Sequence, residues 1–321
     1  FLKDRGVTEL EFLCLTHPHE DHFRGMSHLL NPEMFTIKRF WRFGAFSTAE
    51  LKIASVLHAS QDLKEAAREF QKILRKVTEL REAKGKEKSK PPFIKHVEST
   101  CQLYPEPVLN PGPNPIKLKI WSLAPSGDII NQYQSDIGKC FDSDGKINLT
   151  GPYNPNHNDL SFALLIIFGE TRIILGGDVE RKGWQEFLRN KNVVDGLSAH
   201  VVKVSHHGST TGYTDGLWEE FSSQKKPYAV ITPYYRHHLP NTEAISHISN
   251  YASSVLATRS VVPEYRAKDL IEITESPIKA KIAMAKKFST VSTNTGCCSI
   301  YFNDRGGCVK TYTPPPAVTL K

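Results

Sequence analysis

The sequence predicts an α/β protein built as a four-layer αβ/βα sandwich. Apolar runs of strand length alternate with helical patterns along the chain. Several of those strands end in histidine or aspartate, which gathers polar ligands at one sheet edge, an arrangement that layered folds supply. At 321 residues the chain can bury a full core, as one large domain with insertions. Apolar content of 39% and charged content of 23% are ordinary for a globular protein. The longest apolar run, Phe162 to Phe168, is far too short for a bilayer, and Phe1 starts no secretory leader. A protein with no membrane partner is expected.

The elements follow in order. Phe1 to Leu10 reads as the tail of a helix and a turn at Lys3-Asp4-Arg5-Gly6. A buried strand, Phe12 to Thr16, then stops at a sheet rim and releases His17, His19, Asp21 and His22 within six residues. Imidazole with carboxylate suits zinc, manganese or iron, and four ligands so close suggest two ions. Met26 to Leu30 should be a helix, stopped by Asn31-Pro32, and Phe35 to Phe46 an aromatic-rich strand. From Ser47 to Ala83 the pattern is helical, with Leu63, Phe70 and Val77 at heptad spacing. Ala66 or Ala67, Ile73 or Leu74, and Leu80 lie between them. Packing on its own domain is the favoured reading of that stripe, and a protein partner or self-association through 47–83 the alternative. Lys84, Lys86, Lys88 and Lys90 read as a solvated loop, and Pro91-Pro92 closes an insertion over 47–92. Five prolines between 105 and 115 make an irregular crossing, and Ile116 to Leu123 a strand. Asn131 to Asn156, polar and glycine-containing, is expected to be a long loop over the site.

The second half carries more ligands at strand ends. Asn158-Asp159-Leu160-Ser161 precedes a buried strand, Phe162 to Phe168; Gly169-Glu170 turns it, and Thr171 to Leu175 returns to Gly176-Gly177-Asp178. Glycine there permits close backbone approach and leaves the carboxylate available to bridge two cations. Val201 to Ser205 ends in His206-His207-Gly208-Ser209, and Tyr228 to Ile231 leads to His237-His238-Leu239-Pro240. His28, His58, His96, His200 and His247 have no such placement and read as structural or exposed.

Thr-His-Pro-His-Glu-Asp-His, continued by Phe23-Arg24-Gly25-Met26, resembles the His-x-His-x-Asp-His motif of the metallo-β-lactamase fold. With Asn-x-x-Ser, Gly-Gly-Asp, Lys-Val-Ser-His-His-Gly-Ser and His-x-Pro added, the chain looks like the metallo-β-lactamase domain of ComEC-type competence proteins. It is similar also to the phosphorylcholine esterase branch of that superfamily. Thr293-x-Thr295-Gly296 before Cys298 to Tyr301 resembles the domain's closing strands. The resemblance runs from about Phe1 to Tyr312, interrupted by the 47–92 insertion and a smaller one near 256–287. An N-terminal strand hairpin that comes first in that fold has no counterpart here, so the protein is expected to extend N-terminally.

The resemblance implies two divalent ions, zinc or manganese. His17, His19 and His206 would hold one, Asp21, His22 and His238 the other, and Asp178 would bridge them. His237 competes with His238, and His157 with His206. It implies Asp21, Asp178 and His207 as catalytic residues, with His207 donating a proton, and Asn158, Ser161 and Ser209 beside the substrate. Lys203, Arg236 and the Lys84–Lys95 cluster could hold flanking phosphates. Lys and Arg exceed Asp and Glu by 41 − 34 = 7, which is compatible with a polyanion partner. The expected function is a cytoplasmic binuclear phosphodiesterase, a nuclease on DNA or RNA serving in defence or nucleic-acid turnover. A hydrolase of small phosphoesters, amides or lactones is the alternative, and a non-catalytic scaffold the alternative of another class. Six cysteines without a Cys-x-x-Cys pair fit a reducing compartment, with Cys297 and Cys298 both on a strand.

Overall fold

The computed structural model describes residues 2–44, 63–83, 93–104, 118–139, 156–190, 196–234, 237–259, 296–303, 306–313 and 317–320. The helical pattern over 47–62, the lysine run, the proline-rich crossing, Arg236 and most of the 256–287 insertion lie outside them. The chain divides into two compact units, Phe1–Ser99 with Pro125–Phe162, and Thr100–Ala124 with Ala163–Lys321.

The first unit holds a three-stranded parallel sheet: β1 (Glu9–Leu15), β2 (Thr36–Phe43) and β3 (Ile94–Val97), in that order. Ile37, Phe40, Trp41 and Phe43 of β2 are buried, and Phe12 of β1 stacks on Trp41 at 4.4 Å. β1 is half-buried, with only Leu15 fully inside, where the apolar run had suggested a buried strand. It is the outer strand of this sheet, with one strand neighbour among the described residues, so one flank keeps access to solvent.

Two short helices, Glu20–Phe23 and Met26–Leu29, follow β1. The long helix is Leu63–Ala83. Ala66, Phe70, Ile73 and Val77 are buried at i, i+4, i+7 and i+11, the spacing of one helical face. Phe70 meets Phe23 ring to ring at 5.0 Å. Ser27 donates its N–H to Glu69 Oε1 at 3.0 Å and its hydroxyl to Oε2 at 2.8 Å, while Lys76 Nζ reaches the Ser27 carbonyl at 3.0 Å. Phe70 and Val77 of the apolar stripe are thus buried, and Leu80 is half-buried.

A further helix, Gly127–Gly138, replaces the first part of the loop expected over Asn131 to Asn156, and residues 140–155 lie outside the described ones. Ser126 caps it, its Oγ accepting from Ile129 N at 3.2 Å, and Ile129, Ile130, Tyr133 and Ile137 are buried along one face. That burial outweighs the polar residues between them.

The second unit is an eight-stranded mixed sheet. Its strands are β4 (Gln102–Tyr104), β5 (Leu118–Ser122), β6 (Leu164–Phe168), β7 (Thr171–Leu175), β8 (Val201–Lys203), β9 (Tyr228–Ile231), β10 (Ser254–Ala257) and β13 (Val318–Thr319). β4 to β7 pair antiparallel, β7 to β10 parallel, and β13 closes antiparallel on β10. Four parallel strands with helices between them form the half that delivers the polar loops. Trp184, Phe187, Trp218, Phe221, Ile245 and Ile248 from those helices bury against Leu165, Ile174, Val202, Ala229 and Val255 of the sheet.

β6 was expected to be buried throughout, but it is buried only in its first half. Leu164 and Leu165 are inside, while Phe168 is 62% exposed where the strand runs out into the Gly169 turn. A separate ribbon pairs β11 (Ser299–Phe302) with β12 (Cys308–Tyr312). Cys297 and Cys298 precede β11 rather than lying on it, and the described cysteines are free thiols. No helix among the described residues is long and apolar enough to cross a membrane.

Candidate metal centre

In the first unit the histidines leave β1 in a tight fan. His19 is extended (φ −87°, ψ 145°) and opens the Glu20–Phe23 helix, which sets Asp21 and His22 on its first turn. Thr16 Oγ lies 3.0 Å from His17 Nδ1 and 3.2 Å from His22 Nδ1. One hydroxyl hydrogen serves only one of these rings, so at least one Nδ1 carries a proton and donates to Thr16, leaving its Nε2 as the lone-pair atom. His17 Nε2 is 2.9 Å from His19 Nδ1, and the His17 and His22 rings are 4.2 Å apart. His22 Nε2 faces Asp21 Oδ2 at 3.5 Å.

His157, buried in the 3-10 turn His157–Leu160, lies 5.5 Å ring to ring from His19, and its Nδ1 is bonded to the Tyr133 hydroxyl. Of these residues, Asp21 and His22 are among those that could hold a metal ion. Asn158 and Ser161 are buried around the same turn, with Ser161 N donating to the Asn158 carbonyl at 3.0 Å.

In the second unit, Asp178 and the histidine pair come from the ends of neighbouring strands β7 and β8. Gly176 makes their approach possible: a Cβ there would lie 2.2 Å from Ser205 Oγ and 2.9 Å from the Lys203 carbonyl. Its N–H donates to that carbonyl at 3.0 Å, and His206 N donates to the Gly177 carbonyl at 3.0 Å. Trp184 Nε1 pins Ser205 Oγ from below at 3.2 Å. The chain then turns through two consecutive left-handed histidines, His206 (φ 44°, ψ 47°) and His207 (φ 53°, ψ 20°). Gly208 (φ 81°) follows, where a Cβ would meet that of Pro240 at 2.6 Å, so the two histidine loops pack together here.

The left-handed turn sends the two rings to different partners. His207 Nδ1 donates to the Thr232 carbonyl at 2.7 Å, and its Nε2 lies 3.6 Å from Asp178 Oδ2. Tyr234 stacks against the ring at 5.2 Å. His206 Nδ1 instead sits 3.0 Å from Glu180 Oε1 and 3.1 Å from Thr211 Oγ1. His237 tilts over Tyr234 at 5.3 Å, and His238 is exposed with φ 54°. Ser209 Oγ bonds Thr211 at 3.0 Å, and Lys203 is half-buried on β8.

Each of Asp21, His22, Asp178 and His207 offers an atom a cation could take. Two ligands on one tetrahedral ion, with bonds of about 2.1 Å, stand about 3.4 Å apart. The Asp21–His22 and Asp178–His207 separations of 3.5 and 3.6 Å match that spacing better than they match a hydrogen bond. Cys14, three residues before His17, does not compete as a thiolate, because burial pushes its thiol up to about 12.

Three residues here escaped the reading of the sequence: Thr16, Tyr133 and Glu180. Tyr133 had a signal in the Ser126 cap followed by apolar residues at helical spacing. Glu180, two residues past Asp178, had none, because its partner His206 is distant in sequence.

Fold and site together define a mixed α/β protein with histidine and aspartate side chains that could hold a metal ion. No protein-family model matches the chain. It is similar to ComE operon protein 3 of Bacillus subtilis (strain 168), 32% identical over 126 residues. That match covers 37% of this chain and 15% of that protein.

Proposed function

We propose that this chain is a metallo-β-lactamase-fold hydrolase of phosphodiesters, acting on DNA or RNA with two divalent ions, zinc or manganese. The observation that carries the reading is the pair of Asp–His couples, Asp21 with His22 and Asp178 with His207, each held at ligand spacing. The similarity to ComE operon protein 3 supports a competence-related origin, over the part of the chain it covers. The formal net charge of +7 favours an anionic substrate.

When bound, such ions activate a water and neutralise charge on a phosphoryl group. The chain's own residues supply the rest. Asp21 Oδ2 orients the attacking water and takes up its proton. His207 serves as a ligand, with its Nδ1 hydrogen engaged by Thr232 and its Nε2 facing Asp178.

The test is elemental analysis of the purified chain, with cleavage of single- and double-stranded DNA and RNA in Mn²⁺, Zn²⁺ and EDTA. About two ions per chain and EDTA-sensitive cleavage are expected, with Asp178→Asn losing at least about 100-fold in rate. Metal-dependent hydrolysis of a small phosphodiester reporter, with nucleic acids untouched, would move the substrate to a small molecule. Absence of metal would end the enzyme reading and leave a scaffold.

A further inference from the structure

Three rings follow one another at the carboxyl ends of β8 and β9. His207 is the inner one, with Nδ1 on the Thr232 carbonyl at 2.7 Å and Nε2 3.6 Å from Asp178 Oδ2. Tyr234 stacks on it, with ring centres 5.2 Å apart and planes 29° from parallel. His237 tilts over Tyr234 in turn, at 5.3 Å and 39°, and is exposed. Among the described residues, His237 is not one of those whose atoms converge as metal ligands. The loop that carries the outer two rings is closed on itself. Tyr234 N donates to the Leu239 carbonyl at 3.0 Å, Leu239 N to the Tyr234 carbonyl at 3.1 Å, and His237 N to that same carbonyl at 3.3 Å. Its base is tied to the neighbouring histidine loop, where Asn241 N donates to the Gly208 carbonyl at 2.9 Å. Both loops are therefore fixed before anything binds, which removes an ordering cost.

We infer that Tyr234 and His237 form a stacking platform for one unpaired base of a single-stranded nucleic acid, laid on the exposed ring of His237. The inference rests on the nucleic-acid reading above and deepens it by naming single strands as the substrate class. Every base has a π-face, and stacking on tyrosine or histidine tolerates any sequence. In a duplex those faces are covered by neighbouring bases, so such a platform selects an unpaired strand. Its inner ring is the one that faces Asp178, so its outer ring stands two ring-to-ring steps from that couple. His237 works here through the face of its ring and not through its nitrogens, which separates this role from that of a ligand or a proton carrier.

The experiment measures binding of labelled single-stranded DNA, the matching duplex and an abasic single strand to the full chain and to His237→Ala, His237→Phe and Tyr234→Ala. It is run in EDTA, which prevents cleavage, and again with Zn²⁺. A further single strand carrying aminopurine, whose emission falls when it stacks, reports the contact itself. The wild type should prefer the single strand and quench the aminopurine. His237→Ala should lose at least about 5-fold in affinity for the single strand, together with the quenching, and should bind the abasic strand as the wild type does. His237→Phe should retain both, since a phenyl face stacks but carries no nitrogen. Tyr234→Ala should follow His237→Ala, because His237 loses the ring beneath it; if it does not fold, the two His237 variants carry the test. Wild-type affinity and quenching in His237→Ala, an equal loss on the duplex, or a loss in His237→Phe as deep as in His237→Ala overturns the inference. A wild type that binds no polynucleotide under either condition is a different failure: it removes the nucleic-acid reading itself, and the platform with it.

Discussion

Each imidazole in this chain takes its meaning from what its second nitrogen touches. His207 spends a hydrogen on a backbone carbonyl, His206 spends one beside a carboxylate, and His157 meets a phenol. The sequence names the rings, since histidine after an apolar strand is a visible sign. It does not name Thr16, Tyr133 or Glu180, because hydrogen-bond partners are chosen by the turn and not by spacing. Cysteine gives the complementary case. Cys14 lies beside the histidine fan, but burial holds its thiol at about 12. At pH 8 it should therefore resist iodoacetamide, while exposed Cys101 and Cys297 alkylate readily. Peptide mass spectrometry after brief labelling decides this, and rapid loss of the Cys14 thiol would contradict the assigned environment.

Among the elements, strands read more faithfully than the segments between them. β7 and β9 fall where alternation and β-branched residues place them, since both sit inside a sheet that rewards such residues. The helix Gly127–Gly138 was hidden by its asparagines and glutamines, whose exposed side chains say nothing about the buried isoleucines beneath. The Leu63–Ala83 helix was legible as a stripe, but a stripe alone does not say what it meets. Its contacts with Phe23 and Ser27 answer that for Phe70 and its neighbour Glu69. Phe70 is fully buried against Phe23, so Phe70→Ala should cost about 3–5 kcal/mol. Chemical denaturation should show the midpoint falling, and an unchanged midpoint would mean that the helix face is not held there.

For the molecule as a whole, acid should be destabilising through at least one identifiable group. Burial, then the positive charges of Lys225 and Arg172, hold the His200 pKa below its usual value. Its Nδ1 accepts from Arg172 N at 3.1 Å, which requires the neutral ring. The unfolded chain, titrating near 6.5, binds a proton the folded one refuses. The resulting stability is complete above that pH and is lost as pH falls through it towards the lower folded value. Melting temperature followed from pH 7.5 to 5 should fall, and His200→Gln should flatten that slope. An identical slope in the variant would assign the acid sensitivity to other groups.

The consecutive left-handed histidines also bear on how this chain can be improved in the laboratory. Glycine would sit at 206 and 207 with less torsional penalty, by about 1 kcal/mol at each position. A library screened for heat resistance alone would therefore tend to discard the two imidazoles, and one screened for chemistry would keep them. Codons 206 and 207 would report which property a given campaign had rewarded.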